Sequence, residues 1–316
     1  MYQPLRSSRS EFLTVRGLRT HVRSWGALGD GAPPLVLVHG WMDTSASWQF
    51  MVDALDDSFW TGRRIIAPDW RGFGLSMAED KARDHYDFVE YLADLDALLD
   101  YCAGAGPVDL VGHSMGGNVA MMYAGARPTR IRRLVNLEGF GMPAAQPEQA
   151  PGRLAQWLDQ LKDLRAGRLA LKTYADAAGV AARLMKNNPR LPQDKADWLA
   201  RHWAVPRAPA DDGKSAATTR WTVLGEAAHR VVNPHLFRVD EMLAIYRTIS
   251  APTLMVEASD DSLAGFWGAR YTQAEFHARL PAVSDLHRET LPDCGHMLHH
   301  DQPERLARLL EAFLTA

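Results

Sequence analysis

Apolar residues in this chain recur with two different spacings. Residues 35–38, 64–67, 108–111, 131–137 and 253–256 are short runs dense in Val, Leu and Ile, the pattern of strands buried on both faces. Between them, residues 45–55, 86–102 and 117–127 carry apolar side chains three and four positions apart, which predicts helices. Two alternating segments around Gly17, residues 12–15 and 20–25, predict a hairpin of half-buried strands. Strand and helix therefore alternate, and alternation of this kind predicts an α/β fold built on a mostly parallel, doubly wound sheet.

Residues 142–250 break the rhythm. Leu154, Trp157, Leu158, Leu161 and Leu164 form one helical face; Leu171, Tyr174, Ala178, Ala181 and Met185 a second; Trp198, Leu199, His202 and Trp203 a third. Residues 205–219, rich in Pro, Ala and Asp, read as loop. The alternation resumes at Pro252, with a helix expected over 266–280, a strand near 286–290 and a last helix opened by Pro303. The chain thus divides into a core of residues 1–141 and 251–316 and an inserted helical segment, 142–250.

Composition adds mostly exclusions. With 47% hydrophobic and 23% charged residues over 316 positions, the chain can bury a large core. A formal charge of -3 gives no footprint for nucleic acid. Cys102 and Cys294 are too few and too far apart for a disulfide framework, so a reducing, cytoplasmic setting is expected. The first residues show no apolar signal segment, and no run of 18 apolar residues predicts a membrane span. Nothing in the sequence speaks to oligomeric state.

Candidate chemistry begins at Gly112-His113-Ser114-Met115-Gly116-Gly117. A serine bracketed by glycines between a strand and a helix sits on a sharp turn with its hydroxyl in open space. Serine is a poor nucleophile without a base to take its proton and a third group to orient that base. Loops following the carboxyl ends of parallel strands meet on one sheet edge. Ser114, Asp261 and His296 all follow predicted strands, in the order nucleophile, acid, histidine.

With these residues the chain resembles the α/β-hydrolase fold family. His39-Gly40-Trp41 matches that family's oxyanion loop, 112–117 its nucleophile elbow, and Gly295-His296 its histidine loop, with 142–250 where the family carries a cap or lid. The resemblance implies that Ser114 is acylated, that His296 is base and then acid, and that the backbone N–H groups of Trp41 and Met115 hold the oxyanion. It implies a small-molecule ester or acyl substrate and calls for neither cofactor nor metal. The acid is less well marked, because Ala258 stands where the family has glycine three residues before the aspartate. Asp261 is the first choice, Glu138 the second by similarity to members that place the acid after the preceding strand, and Asp260 the third.

Other residues have structural readings. His39 is expected to brace the oxyanion loop, Asp69 and Arg71 to make turn or ion-pair contacts, and His113 to pack. His296, His299, His300 and Asp301 are not expected to form a metal cluster, because Pro303 places the helix start beyond them. Among Trp41, Trp157, Trp198, Trp203 and Trp221, some should line a largely apolar pocket, since a cap has little core of its own. Ester hydrolysis is thus expected, with C–C bond hydrolysis, cofactor-free perhydrolysis or a ligand receptor as alternatives. A serine nucleophile argues against alkyl-enzyme chemistry of the epoxide hydrolase or haloalkane dehalogenase type.

Overall fold

The computed structural model describes residues 2–26, 32–77, 83–207 and 219–316. Its strands, in chain order, are β1 (Arg9–Val15), β2 (Leu18–Trp25), β3 (Leu35–Val38), β4 (Ile65–Pro68), β5 (Val108–His113), β6 (Ile131–Leu137), β7 (Thr173–Tyr174), β8 (Ala204–Arg207), β9 (Arg220–Val223), β10 (Thr253–Ala258) and β11 (Leu286–Leu291). The main sheet has eight strands in the order β1-β2-β4-β3-β5-β6-β10-β11. The β1–β2 and β2–β4 pairs are antiparallel, and every pair from β4 to β11 is parallel.

The helices are α1 (Gln49–Asp53), α2 (Asp57–Trp60), α3 (Phe88–Ala103), α4 (Met115–Ala126), α5 (Ala150–Arg165), α6 (Ala177–Asn187), α7 (Gln193–Trp203), α8 (Val239–Tyr246), α9 (Ser262–Trp267), α10 (Gln273–Arg279), α11 (Leu298–Asp301) and α12 (Pro303–Thr315). Strand alternation explains the continuous apolar runs. Val36 and Val38 join Leu110 and Leu134 on one face, against Leu95 and Leu99 of α3 and Val119 of α4. Leu35 and Leu37 point the other way, with Val111, Val135 and Val256, against Met51 of α1 and Leu306 and Leu310 of α12. Each such buried side chain contributes about 1.5–3 kcal/mol, so both faces had to be apolar.

Between β6 and β10 the chain leaves the sheet. Helices α6 and α7 share a small core of Val180, Ala181, Leu191, Ala196 and Leu199, which Phe50 joins. The expectation of helix alone is corrected here, because β7, β9 and β8 form a three-stranded antiparallel sheet in this segment. Leu171 and Tyr174 are accordingly not helical: Asp176 caps α6 through the Gly179 N–H, so the helix starts only at Ala177. Part of the expected loop is strand β8, and residues 208–218 lie outside the described residues. The helix expected over 266–280 is two helices, broken where Gly268 takes φ 55° and Thr272 caps α10. No described helix is long and apolar enough to cross a membrane.

Candidate active site

Ser114 stands between β5 and α4 with φ 54° and ψ -116°, a conformation that costs a non-glycine residue about 1–3 kcal/mol. The turn is held by the Ser114 N–H, which donates to Leu137 O at 2.8 Å. Close packing fixes the flanking residues: a Cβ on Gly112 would lie 2.3 Å from Gly116 O, and one on Gly116 would lie 2.3 Å from Val38 O. Any larger residue would push α4 off the sheet and carry the serine with it.

His296 reaches this turn from the loop after β11. The Ser114 hydroxyl donates to His296 Nε2 at 2.9 Å, and His296 Nδ1 faces Glu138 Oε2 at 3.3 Å. Glu138 follows β6, is 2% exposed, and has φ 58°. Its other oxygen accepts from the Ala258 N–H at 2.7 Å. The turn beneath it is closed by Asn136, which donates to Gly139 O and accepts from the Gly139 N–H, both at 2.9 Å.

The expectation that Asp261 faces the histidine is therefore corrected. Asp261 is exposed and caps α9, accepting from the Ala264 N–H at 2.9 Å. Asp260 is held by Arg190 through contacts of 2.7 and 3.1 Å. Strand β10 ends at Ala258, and the three residues that follow swing toward solvent to start α9. The buried position beside His296 is filled instead from the neighbouring strand β6. The sequence signal was faint: a glutamate followed by glycine after an apolar strand is common.

Hydrogen bonds brace the surrounding loops. His39 donates from Nδ1 to Gly40 O at 2.7 Å, and its Nε2 accepts from the Trp70 N–H at 2.9 Å. Burial holds this imidazole down at about 4, so it stays neutral and the pattern is fixed. A Cβ on Gly40 would lie 3.2 Å from Ser114 Cβ, so the loop leading to Trp41 lies directly against the serine. Met115 is the first residue of α4. Asp69 accepts from His21 Nδ1 and from the Ser45 and Leu75 N–H groups, which together hold its carboxyl well below the usual range despite burial. Arg71 pairs with Asp94 and Glu90. His113 Nε2 donates to His296 O at 2.7 Å, so it positions the histidine loop as well as packing. Asp301 accepts from the Gly295 N–H at 2.9 Å and from Asn188 Nδ2 at 2.7 Å, tying that loop to the inserted segment. His299 and His300 do lie on a helical turn, α11, which ends just before the proline.

A cavity of about 400 Å³ opens over Ser114 and His296. Leu184, Leu191, Leu199, Trp203 and Val223 from the inserted segment give it an apolar wall, with Trp41 beside the serine. Trp157, Trp198 and Trp221 do not line it; Trp198 packs against Tyr2 and Phe50 instead. Three exposed cations, Lys172, Arg183 and Arg230, also border the cavity. Sequence reading missed them because a charged residue on a cap element ordinarily means a solvated face. Arg230 donates to Leu169 O and Ala170 O at 3.3 and 3.0 Å, and Lys172 lies over the Tyr174 ring.

Comparison with known proteins places this geometry in context. Residues 33–303 match the profile of the alpha/beta hydrolase fold. Over 95% of both chains, the protein is 28% identical to epoxide hydrolase A of Mycobacterium tuberculosis. It is 34% identical to cis-3-alkyl-4-alkyloxetan-2-one decarboxylase of Shewanella oneidensis over 46% of this chain and 44% of that one. It is also 34% identical to 2-hydroxy-6-oxo-2,4-heptadienoate hydrolase of Pseudomonas putida, over 40% of this chain and 43% of that one. The thioesterase domain from the curacin biosynthetic pathway superposes with a TM-score of 0.75 at 25% identity, covering 96% of this chain and 99% of that one.

Proposed function

Because the chain belongs to the α/β-hydrolase fold family, we propose that it is a serine hydrolase acting on a carboxylic ester or related acyl substrate, with Ser114, His296 and Glu138 as its triad. The observation that carries this reading is the continuous relay from Ser114 Oγ through both ring nitrogens of His296 to a buried glutamate, at 2.9 and 3.3 Å. Glu138 keeps the proton on Nδ1, leaving the Nε2 lone pair to accept from serine. As Oγ bonds to the acyl carbon, His296 takes the serine proton and the carbonyl π electrons move to oxygen. The N–H groups of Trp41 and Met115 hold that oxyanion. Collapse expels the leaving group, which takes the proton from His296. Water, deprotonated by the same nitrogen, then attacks the acyl-enzyme and returns Ser114.

We read residues 142–250 as a cap over a core of 1–141 and 251–316. Its wall suits an apolar acyl chain, and the three cations on the cavity border suit an anionic group. The substrate is thus an amphipathic acyl compound, where the tryptophans alone led to the expectation of a largely apolar site. The cationic border also favours a second reading, hydrolysis of a C–C bond in a carboxylate substrate with the same triad; the Pseudomonas putida relative is named as a hydrolase of a carboxylate, 2-hydroxy-6-oxo-2,4-heptadienoate. Epoxide opening through an alkyl-enzyme ester needs a carboxylate nucleophile, and position 114 is serine.

A fluorophosphonate probe should label the wild-type chain and not Ser114→Ala. Turnover of small aryl esters should fall on the order of a million-fold in that variant. Retained labelling or turnover in Ser114→Ala would overturn the assignment. A panel of vinylogous diketones against esters separates the two readings.

A further inference from the structure

Behind the Ser114 turn lie three buried side chains that the proposed hydrolysis does not use. Asp43 is on the loop after β3, His113 ends β5 and His299 is on α11; they are 9%, 2% and 0% exposed. One ligand atom from each lies within 4.8 Å of those of the other two. Each also leaves a buried atom without a hydrogen-bond partner, namely Asp43 Oδ2, His113 Nδ1 and His299 Nδ1.

Hydrogen bonding leaves the two imidazole atoms as acceptors. His113 Nε2 faces the carbonyl oxygen of His296, so it must carry the proton, and Nδ1 is a bare lone pair. Ser47 Oγ lies 2.7 Å from His300 Nε2 and 3.2 Å from His299 Nε2. Its single proton is claimed by His300 Nε2 or by Asp43, so His299 Nε2 donates to Ser47 and His299 Nδ1 is bare as well. Asp43 Oδ1 accepts from the Thr44 N–H at 2.9 Å, leaving Oδ2 free. Three buried groups, each with an unpartnered polar atom, thus come together, a costly arrangement. A cation satisfies all three.

The geometry points to a binding site for one divalent transition-metal ion of the Zn²⁺ kind, held by Asp43, His113 and His299. Two imidazoles and one carboxylate suit Zn²⁺, Ni²⁺ or Cu²⁺ better than the hard cations Mg²⁺ and Ca²⁺. Ligand–metal bonds of about 2.0–2.2 Å require the three atoms to draw closer together than 4.8 Å. Asp43 and His113 also line the cavity over Ser114. Through His113, whose other nitrogen holds the His296 carbonyl, an ion here stiffens the loop that carries the histidine. The site stands independently of the hydrolytic reading.

Titration calorimetry of the full chain, stripped with chelator and then given Zn²⁺, tests it. One ion should bind per chain, with equal affinity in Ser114→Ala, and should raise the melting temperature. Asp43→Asn and His299→Gln should each weaken binding at least about tenfold and abolish the thermal shift. Absence of saturable Zn²⁺ or Ni²⁺ binding overturns the proposal, and so does unchanged affinity in a folded His299→Gln protein. Should Asp43→Asn fail to fold, His299→Gln and the wild-type thermal shift decide the matter.

Discussion

Replacing Glu138 by glutamine tests the proposed triad at its least obvious member. The change is nearly isosteric, and the glutamine oxygen can keep the 2.7 Å bond from the Ala258 N–H. Its NH₂ group then faces His296 Nδ1, where a carboxylate oxygen stood at 3.3 Å. An amide donor there drives the imidazole proton to Nε2, and that nitrogen can no longer accept from Ser114. Mis-set tautomers of this kind cost about ten-thousand-fold in turnover. Because 3.3 Å is at the long end of hydrogen bonding, the expected loss is about a thousand- to ten-thousand-fold, or about 4 to 5.5 kcal/mol of transition-state stabilisation. The assay is kcat on an aryl ester, with circular dichroism to show that the fold persists. Asp261→Asn is the control: asparagine caps a helix as well as aspartate, so kcat should stay within about twofold. If Asp261→Asn loses as much as Glu138→Gln, or if Glu138→Gln turns over normally, the relay read from the geometry is wrong.

Two further outcomes follow from the cavity and from the buried histidines. Arg183→Ala should lower kcat/KM about tenfold for an acyl substrate with a terminal carboxylate and leave the matching neutral ester nearly unchanged; equal effects on both would remove the anionic end from the substrate assignment. Stability should fall as pH drops below about 6.5, because burial holds His39 at about 4 and His229, stacked between Phe73 and Tyr86, at about 3. The sign follows from proton counts: the unfolded chain protonates these imidazoles first, so His39 and His229 together contribute a loss of about 2.7 kcal/mol per pH unit, to which the buried His113, His202, His299 and His300 add in the same direction. Urea midpoints between pH 7 and 4.5 measure this slope, His229→Gln should reduce it by one group's share, about 1.4 kcal/mol per pH unit, and a flat profile would contradict it.

Sequence by itself determined the frame. The apolar runs at 35–38 and 108–111 could only be strands buried on both faces, and Gly112 and Gly116 mark a turn that tolerates no Cβ. Ser114 and His296 were legible because each follows such a run within a few residues, where the chain's direction leaves little choice. The carboxylate was not, because Asp261 and Glu138 follow adjacent strands, β10 and β6, and a few residues of backbone path decide which one turns inward. Asp261 is drawn to a helix start by the Ala264 N–H, while Glu138 is drawn under His296 by the Ala258 N–H. Tertiary structure alone also gathered Lys172, Arg183 and Arg230 around one cavity and set Asp43, His113 and His299 within reach of one another. Local patterning fixes which elements form and which faces they bury. Convergence of polar groups from distant segments depends on how those elements pack, and no local periodicity encodes it.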